Sequence, residues 1–165
     1  NGQRTWPTSE GLDRYRRGLY VFWRRTVPYP SMATFDAPSR EICTVRRIRT
    51  NTPLQAFVTM NDPAHVEAAQ ALARRAVAEG GDSDASRMEF LFLTCVSRKP
   101  SRVEAQRLMG LLATVRKAYE ADQAVAMKMA TEPLGPLAGP DFSEPASWSA
   151  VANVILNLDE MIMRR

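Results

Sequence analysis

From Thr52 onward the chain is cut into short stretches by residues that start or stop helices, and this punctuation constrains the fold more than any other feature. Thr52-Pro53-Leu54-Gln55 puts Thr at an N-cap, Pro at the first helical position and Gln where it completes a capping box. Asp62-Pro63 starts a second helix at once, with Val66, Ala69, Leu72, Ala73, Ala76 and Val77 as its stripe, and Gly80-Gly81 ends it. Asp82 to Asp84 offers the next cap. Met88, Leu91, Phe92 and Cys95 then form one face, which Phe90, Leu93 and Val96 widen into a helix apolar nearly all round. Ser101 with Glu104 is a second capping box, followed by Leu108, Leu111, Leu112, Val115, Ala118 and Tyr119, a stripe that fades towards Met129. Residues 131–145 hold Pro133, Gly135, Pro136, Gly139, Pro140 and Pro145, and predict a loop. A last helix is predicted from about Ala146, with Trp148, Val151, Ala152, Ile155, Leu158 and Ile162 on one side. The spacing predicts an all-α fold, an irregular helical bundle of about five or six helices.

The first third is less regular. Leu12, Tyr15, Leu19, Phe22 and Trp23 fall at three- and four-residue steps, which predicts a helix entered at Ser9, although Leu19 to Trp23 also fits a strand. Pro28 and Pro30 favour an extended path. Ser31 caps a short turn ending near Asp36, and residues 38–49 read as an irregular, Arg-studded connection with a short helical piece. A length of 165 residues is that of one helical domain over 1–165, with an Arg-rich segment over 1–50 and a helical core over 51–165.

Charge separates the same two parts. Residues 1–50 carry ten Arg against Glu10, Asp13, Asp36 and Glu41, a net +6, within a chain of net +4. Only three basic residues are Lys (Lys99, Lys117, Lys128), and the planar guanidinium favours paired, geometrically specific contacts over a diffuse polycation. Cys43 and Cys95 form no CxxC pair; they could pair with each other in an exported chain, but two buried thiols are the favoured expectation, and His65 is the single histidine. A site built from several imidazoles is therefore excluded, and a Ser-His-Asp triad would have to use His65, which sits beside a helix start. No apolar run reaches the ~18 residues of a transmembrane segment.

The ordered motifs resemble the C-terminal planctomycete-specific domain of the "PSD-one" type, a domain of unknown function. The likeness is carried by Tyr15-Arg16-Arg17-Gly18-Leu19-Tyr20-Val21-Phe22-Trp23-Arg24-Arg25, by Pro30-Ser31-Met32, and by Phe35-Asp36-Ala37-Pro38. Its most specific block is Arg46-Arg47-Ile48-Arg49-Thr50-Asn51-Thr52-Pro53-Leu54-Gln55-Ala56 through Asn61-Asp62-Pro63. Arg98-Lys99-Pro100-Ser101, Trp148 and Leu156-Asn157-Leu158-Asp159-Glu160 complete it. The resemblance implies a C-terminal fragment of an exported, multidomain bacterial protein, hence an extracytoplasmic location, often with a cytochrome-c-like domain upstream. It implies no activity. The haem-binding Cys-x-x-Cys-His motif is absent from this segment, so no cofactor is expected in it, and haem belongs only to an upstream domain.

Five residues stand out as candidates for binding a ligand or partner: Arg46, Arg47, Arg49, Asn51 and Asp159. Three guanidinium groups beside capped helix starts suit a sulfate, phosphate or carboxylate. The favoured reading is structural: those arginines pair with Asp36, Asp62, Asp159 or Glu160 and brace the irregular segment. Tyr15 to Arg25 interleaves Arg with aromatic rings, either as core covered by Arg stems or as a surface that stacks on sugars or bases. Asp159 and Glu160 are adjacent on a helix and point apart, so they form no acid-base pair, and no catalytic constellation is visible. The expected role is a structural or interaction module that docks through its Arg-rich segment on the upstream domain of the same polypeptide. The alternative is part of an extracytoplasmic enzyme or anionic-polysaccharide-binding protein whose site an upstream domain completes. Nucleic acid is disfavoured by the modest net charge.

Overall fold

The computed structural model describes residues 6–7, 9, 11–24 and 26–163. Among these the protein is all-helical, with eight α-helices, two or three more than the sequence predicted. The excess consists of single turns: α1 (Pro30–Thr34) and α8 (Asp159–Ile162) flank six longer helices. These are α2 (Pro53–Asn61), α3 (Pro63–Glu79), α4 (Asp84–Val96), α5 (Arg102–Ala121), α6 (Gln123–Thr131) and α7 (Ser143–Leu156). The chain divides into two compact units, Asn1–Ala56 and Phe57–Arg165, with the dividing line inside α2.

Phe57–Arg165 holds the apolar core. Leu72, Ala73 and Ala76 of α3, Met88, Leu91 and Phe92 of α4, Leu108 and Leu112 of α5, and Trp148, Val151 and Ile155 of α7 are all buried together. The elements begin where the sequence places its caps. The Asp62 side chain accepts the Ala64 N–H, and Ser101 and Glu104 make a reciprocal capping box. At α4 the cap is Ser83 with Ser86. The long stripe after Ser101 breaks once, at Asp122, whose carboxylate accepts the Ala124 and Val125 N–H groups and restarts the chain as α6. Helix α7 begins three residues earlier than predicted, because Pro145 falls in its first turn, where proline costs no hydrogen bond. Leu93, expected to widen the buried face of α4, is exposed.

The other unit, Asn1–Ala56, is built differently. The helix predicted over residues 12–23 is replaced by two 3₁₀ turns, Gly11–Tyr15 and Gly18–Tyr20. Isolated helices gain most of their stability from burying an apolar face, and here Leu12, Leu19 and Phe22 stay largely exposed. The described residues of this unit bury no large apolar side chain; their one buried residue is Gln55. Arg25, which belongs to the aromatic–Arg motif, lies outside the described residues.

Candidate functional site

Among the described residues of Asn1–Ala56, polar bonds take the place of a buried apolar cluster. Thr52 and Gln55 form the predicted capping box of α2: the Gln55 N–H donates to Thr52 Oγ1 at 3.3 Å, and the Thr52 N–H to Gln55 Oε1 at 3.0 Å. The Gln55 amide nitrogen, now fixed, donates to the Thr34 carbonyl at 2.8 Å and lies 3.3 Å from Asp36 Oδ2. Asp36 sits in the left-handed region at φ 57°, which turns the chain at the end of α1. Its carboxylate accepts the Thr50 N–H at 2.7 Å and the Thr50 hydroxyl at 2.8 Å. Those Thr50 bonds, hydroxyl first, hold the Asp36 carboxyl below its ordinary range, helped by Gln55 and by the Arg47 charge.

Around this knot the candidate arginines separate. Arg47 donates through Nε to the Asp36 carbonyl at 2.8 Å and through Nη2 to the Phe35 carbonyl. Its hydrogen bonds thus brace the turn through backbone oxygens, while its charge acts on the Asp36 carboxylate, one of the partners considered for it. Arg46 and Arg49 are exposed, as is Asn51 at the entry to α2. Asp159, in Phe57–Arg165, is exposed in the first turn of α8. Its neighbour Glu160 takes two bonds from Arg98, at 2.8 and 2.9 Å. Arg98 also grips Glu104 at 2.7 and 2.9 Å, so one guanidinium joins the start of α5 to α8. This pushes the Glu104 carboxyl down to about 2, through Arg98 first and Ser101 next.

The aromatic–Arg stretch is surface, not core. Guanidinium carbons lie 5.2 Å above the Tyr15 ring (Arg14), 5.7 Å above Tyr20 (Arg17), 5.1 Å above Trp23 (Arg40) and 4.5 Å above Trp6 (Arg24). Tyr15, Tyr20 and Phe22 are all more than half exposed. The two cysteines are unpaired thiols as expected, but not buried ones. Cys43 is exposed and Cys95 half-buried, both are free thiols, and burial raises the Cys95 pKa.

Phe57–Arg165 contributes two further polar clusters, which sequence reasoning missed. Glu144 accepts from Arg87 at 2.6 Å, Arg116 at 3.1 Å and the buried Trp148 indole at 3.0 Å. Arg116 also forks onto Asp84 at 2.9 and 3.0 Å, so α4, α5 and α7 meet on one ion network. Gln70 and Arg74 hold the segment after α6. The Gln70 amide donates to the Met129 and Glu132 carbonyls at 2.7 and 2.5 Å and accepts the Leu134 N–H at 3.1 Å. Arg74 donates to the Ala130 and Gly135 carbonyls at 3.0 and 2.6 Å. The loop predicted over 131–145 is thus shorter, 132–142, and pinned. An open, mainly apolar hollow of about 350 Å³ lies beside it, lined by Met127, Thr131, Gly135, Leu137 and Phe142 among others.

These carboxylates are committed to arginine, which suits bracing more than proton transfer. Among the described residues no group of three or more His, Cys, Asp or Glu could hold a metal ion, and no helix is long and apolar enough to cross a membrane. Comparison with known families supplies the remaining observation: the model of PSD1, "Protein of unknown function (DUF1553)", matches residues 1–112. The chain belongs to this family. The PSD1 match takes in the polar knot, every candidate arginine, Asn51 and α2 to α4, and ends at Leu112 inside α5. Trp148 and Asp159 lie past that point. No curated protein and no solved structure matches the chain.

Proposed function

We propose that this PSD1-family chain is a helical structural and interaction module, the C-terminal part of an exported multidomain protein, and that it docks through its Arg-rich first third on an upstream domain of the same polypeptide. One observation carries the reading. The described residues of Asn1–Ala56 leave large apolar side chains from Leu12 to Ile48 exposed, on a segment of net +6 over its first fifty residues. An exposed apolar surface rimmed by charged residues, here mostly basic, is what a protein interface looks like before its partner arrives. The location outside the cytoplasm and the upstream domain rest on the resemblance to planctomycete exported proteins.

The test uses Arg17 and Arg46, which are exposed and do not brace the Asp36 turn. The upstream portion encoded by the native gene is produced separately and its association with this chain measured. Arg17→Glu with Arg46→Glu should abolish association while the helical circular dichroism is unchanged. Undiminished association in the double variant refutes docking through this surface.

A second reading is favoured by the guanidinium–aromatic stacks: a surface for anionic polysaccharide, completed by the upstream domain, within an extracytoplasmic enzyme or binding protein. Exposed rings suit sugar faces and the cations suit uronate or sulfate groups. Retention on immobilised sulfated or uronic polysaccharide that vanishes in Arg49→Ala, with the fold intact, would favour it over protein docking.

A further inference from the structure

The segment after Ser39 is displayed in a way that neither reading above requires. Its start is tied down, since the Trp23 indole N–H donates to the Ser39 carbonyl at 3.1 Å and the Arg40 guanidinium covers the same ring. Its end is tied down too, by Arg47 on the Phe35 and Asp36 carbonyls and by the Thr50 N–H on the Asp36 carboxylate. Between these anchors Ile42, Val45 and Ile48 project outward at 77, 105 and 76% exposure, three residues apart. Around them stand Arg40, Arg46, Arg47 and Arg49 against the single acid Glu41, a net +3 over residues 40–49. Held at both ends, the loop has lost part of its conformational freedom before binding, which lowers the cost of using it as a ligand.

We propose that residues 40–49 form the recognition loop of this surface, with Ile42, Val45 and Ile48 entering apolar clefts of a protein partner whose rim is acidic. This rests on the docking reading and says which residues carry it. The chemistry of the three side chains selects the partner class. Sugars and bases are read by flat rings, and none of residues 40–49 is aromatic. Lipid surfaces are gripped by amphipathic helices, whereas this segment is irregular. Branched aliphatic side chains fill shaped clefts, and the surrounding guanidinium excess calls for carboxylates at the edge. The aliphatic contacts then set how long the complex lasts, and Arg46 mainly sets how fast it forms.

Photo-crosslinking in the polypeptide as its native gene encodes it tests this directly. Val45→p-benzoylphenylalanine should crosslink to an upstream protein segment rich in Asp and Glu, identified by mass spectrometry. The same label at Leu19 separates the two claims. Crosslinking from Leu19 but not Val45 overturns the recognition loop while docking stands; crosslinking from neither position overturns both. A crosslink from Val45 to lipid or to a segment without acids also overturns the proposal. As a second readout, Val45→Ser with Ile48→Ser should weaken association with the separately produced upstream portion at least ~10-fold at both low and high salt. Arg46→Glu should slow association at low salt and have little effect at high salt. A double serine variant that binds as tightly as the parent also overturns the loop's role.

Discussion

Gln70 illustrates what single polar side chains do in this protein. It is fully buried on α3, yet its amide serves the Met129 and Glu132 carbonyls and the Leu134 N–H, three backbone groups that helix α6 and the following turn leave without partners. Removing the amide strands those groups inside the protein. Gln70→Ala should lower stability by about 2–3 kcal/mol, read as a fall in the urea midpoint at constant slope. A change within about 0.5 kcal/mol, the range of a neutral surface substitution, would show that water takes over the role.

Arg98 makes an equally local but pH-dependent contribution. Glu104 is held at about 2, below its ordinary 4.5, by the Arg98 bonds first and the Ser101 hydroxyl and N–H next. A carboxyl whose pKa is lower in the folded than in the unfolded chain adds stability in full above its unfolded value. That stability is lost as pH falls from about 4.5 towards about 2. The partners are partly exposed, so the contribution is on the order of 1 kcal/mol. Arg98→Met should therefore melt lower than the parent at pH 7, and the gap should narrow progressively as pH falls from about 4.5 towards about 2. A gap that persists unchanged in acid would place the effect of Arg98 in its stacking over Phe92 and not in its charge.

Among the elements, α3, α4 and α5 were legible because each carries its own start signal: Asp62-Pro63, the Asp82–Asp84 region and Ser101 with Glu104. Caps are local chemistry, and a sequence displays them directly. The 12–23 segment has helical spacing without a helix, since spacing marks which residues could share a face but not whether anything covers it. The reverse holds in α2, which buries polar Gln55 and Thr59 and exposes Leu54, Phe57 and Met60. Its orientation follows hydrogen bonds to distant residues, such as Thr59 to Asn157 at 2.6 Å, and no periodicity reports those. The same reason hid the Asp84–Arg116–Glu144 network, whose members lie 28 and 32 residues apart. The candidate arginines stand together in the sequence, but nothing in it displays the split between Arg47, turned back onto carbonyls, and the exposed Arg46.

Helix α7 is the element on which the core depends most. Trp148 is wholly buried among side chains of the other helices, with its N–H satisfied by Glu144. Trp148→Ala should cost about 3–5 kcal/mol by cavity formation, and leave Glu144 with one donor fewer. Trp148→Phe keeps most of the volume and should lose clearly less; equal losses in thermal or urea unfolding would point to the Glu144 bond as the dominant contribution.

At the scale of the whole molecule, the family match and the physical fold have different boundaries. The match ends at Leu112, midway through α5, but α3 packs more extensively on α7 than on any other helix, and α7 begins at Ser143. A chain cut at residue 112 keeps Leu72, Met88, Leu91 and Phe92 and loses Trp148, Val151, Ala152 and Ile155, the side chains that cover them. It also loses Arg116 and Glu144, which leaves Asp84 and Arg87 without the partners that join α4 to the rest. The capped helices α3 and α4 would keep their local start signals, but local propensity alone holds helices of this length only marginally in water. Residues 1–112 alone should therefore show reduced helicity, bind a dye specific for exposed apolar surface and melt without a cooperative transition. Residues 1–158 should restore a sharp melt, because they return α7 with Trp148 and Ile155 in place. A cooperative melt in the shorter chain would mean that the family's matched region folds on a core of its own, and would reduce α7 from a structural partner of α3 to an accessory of it.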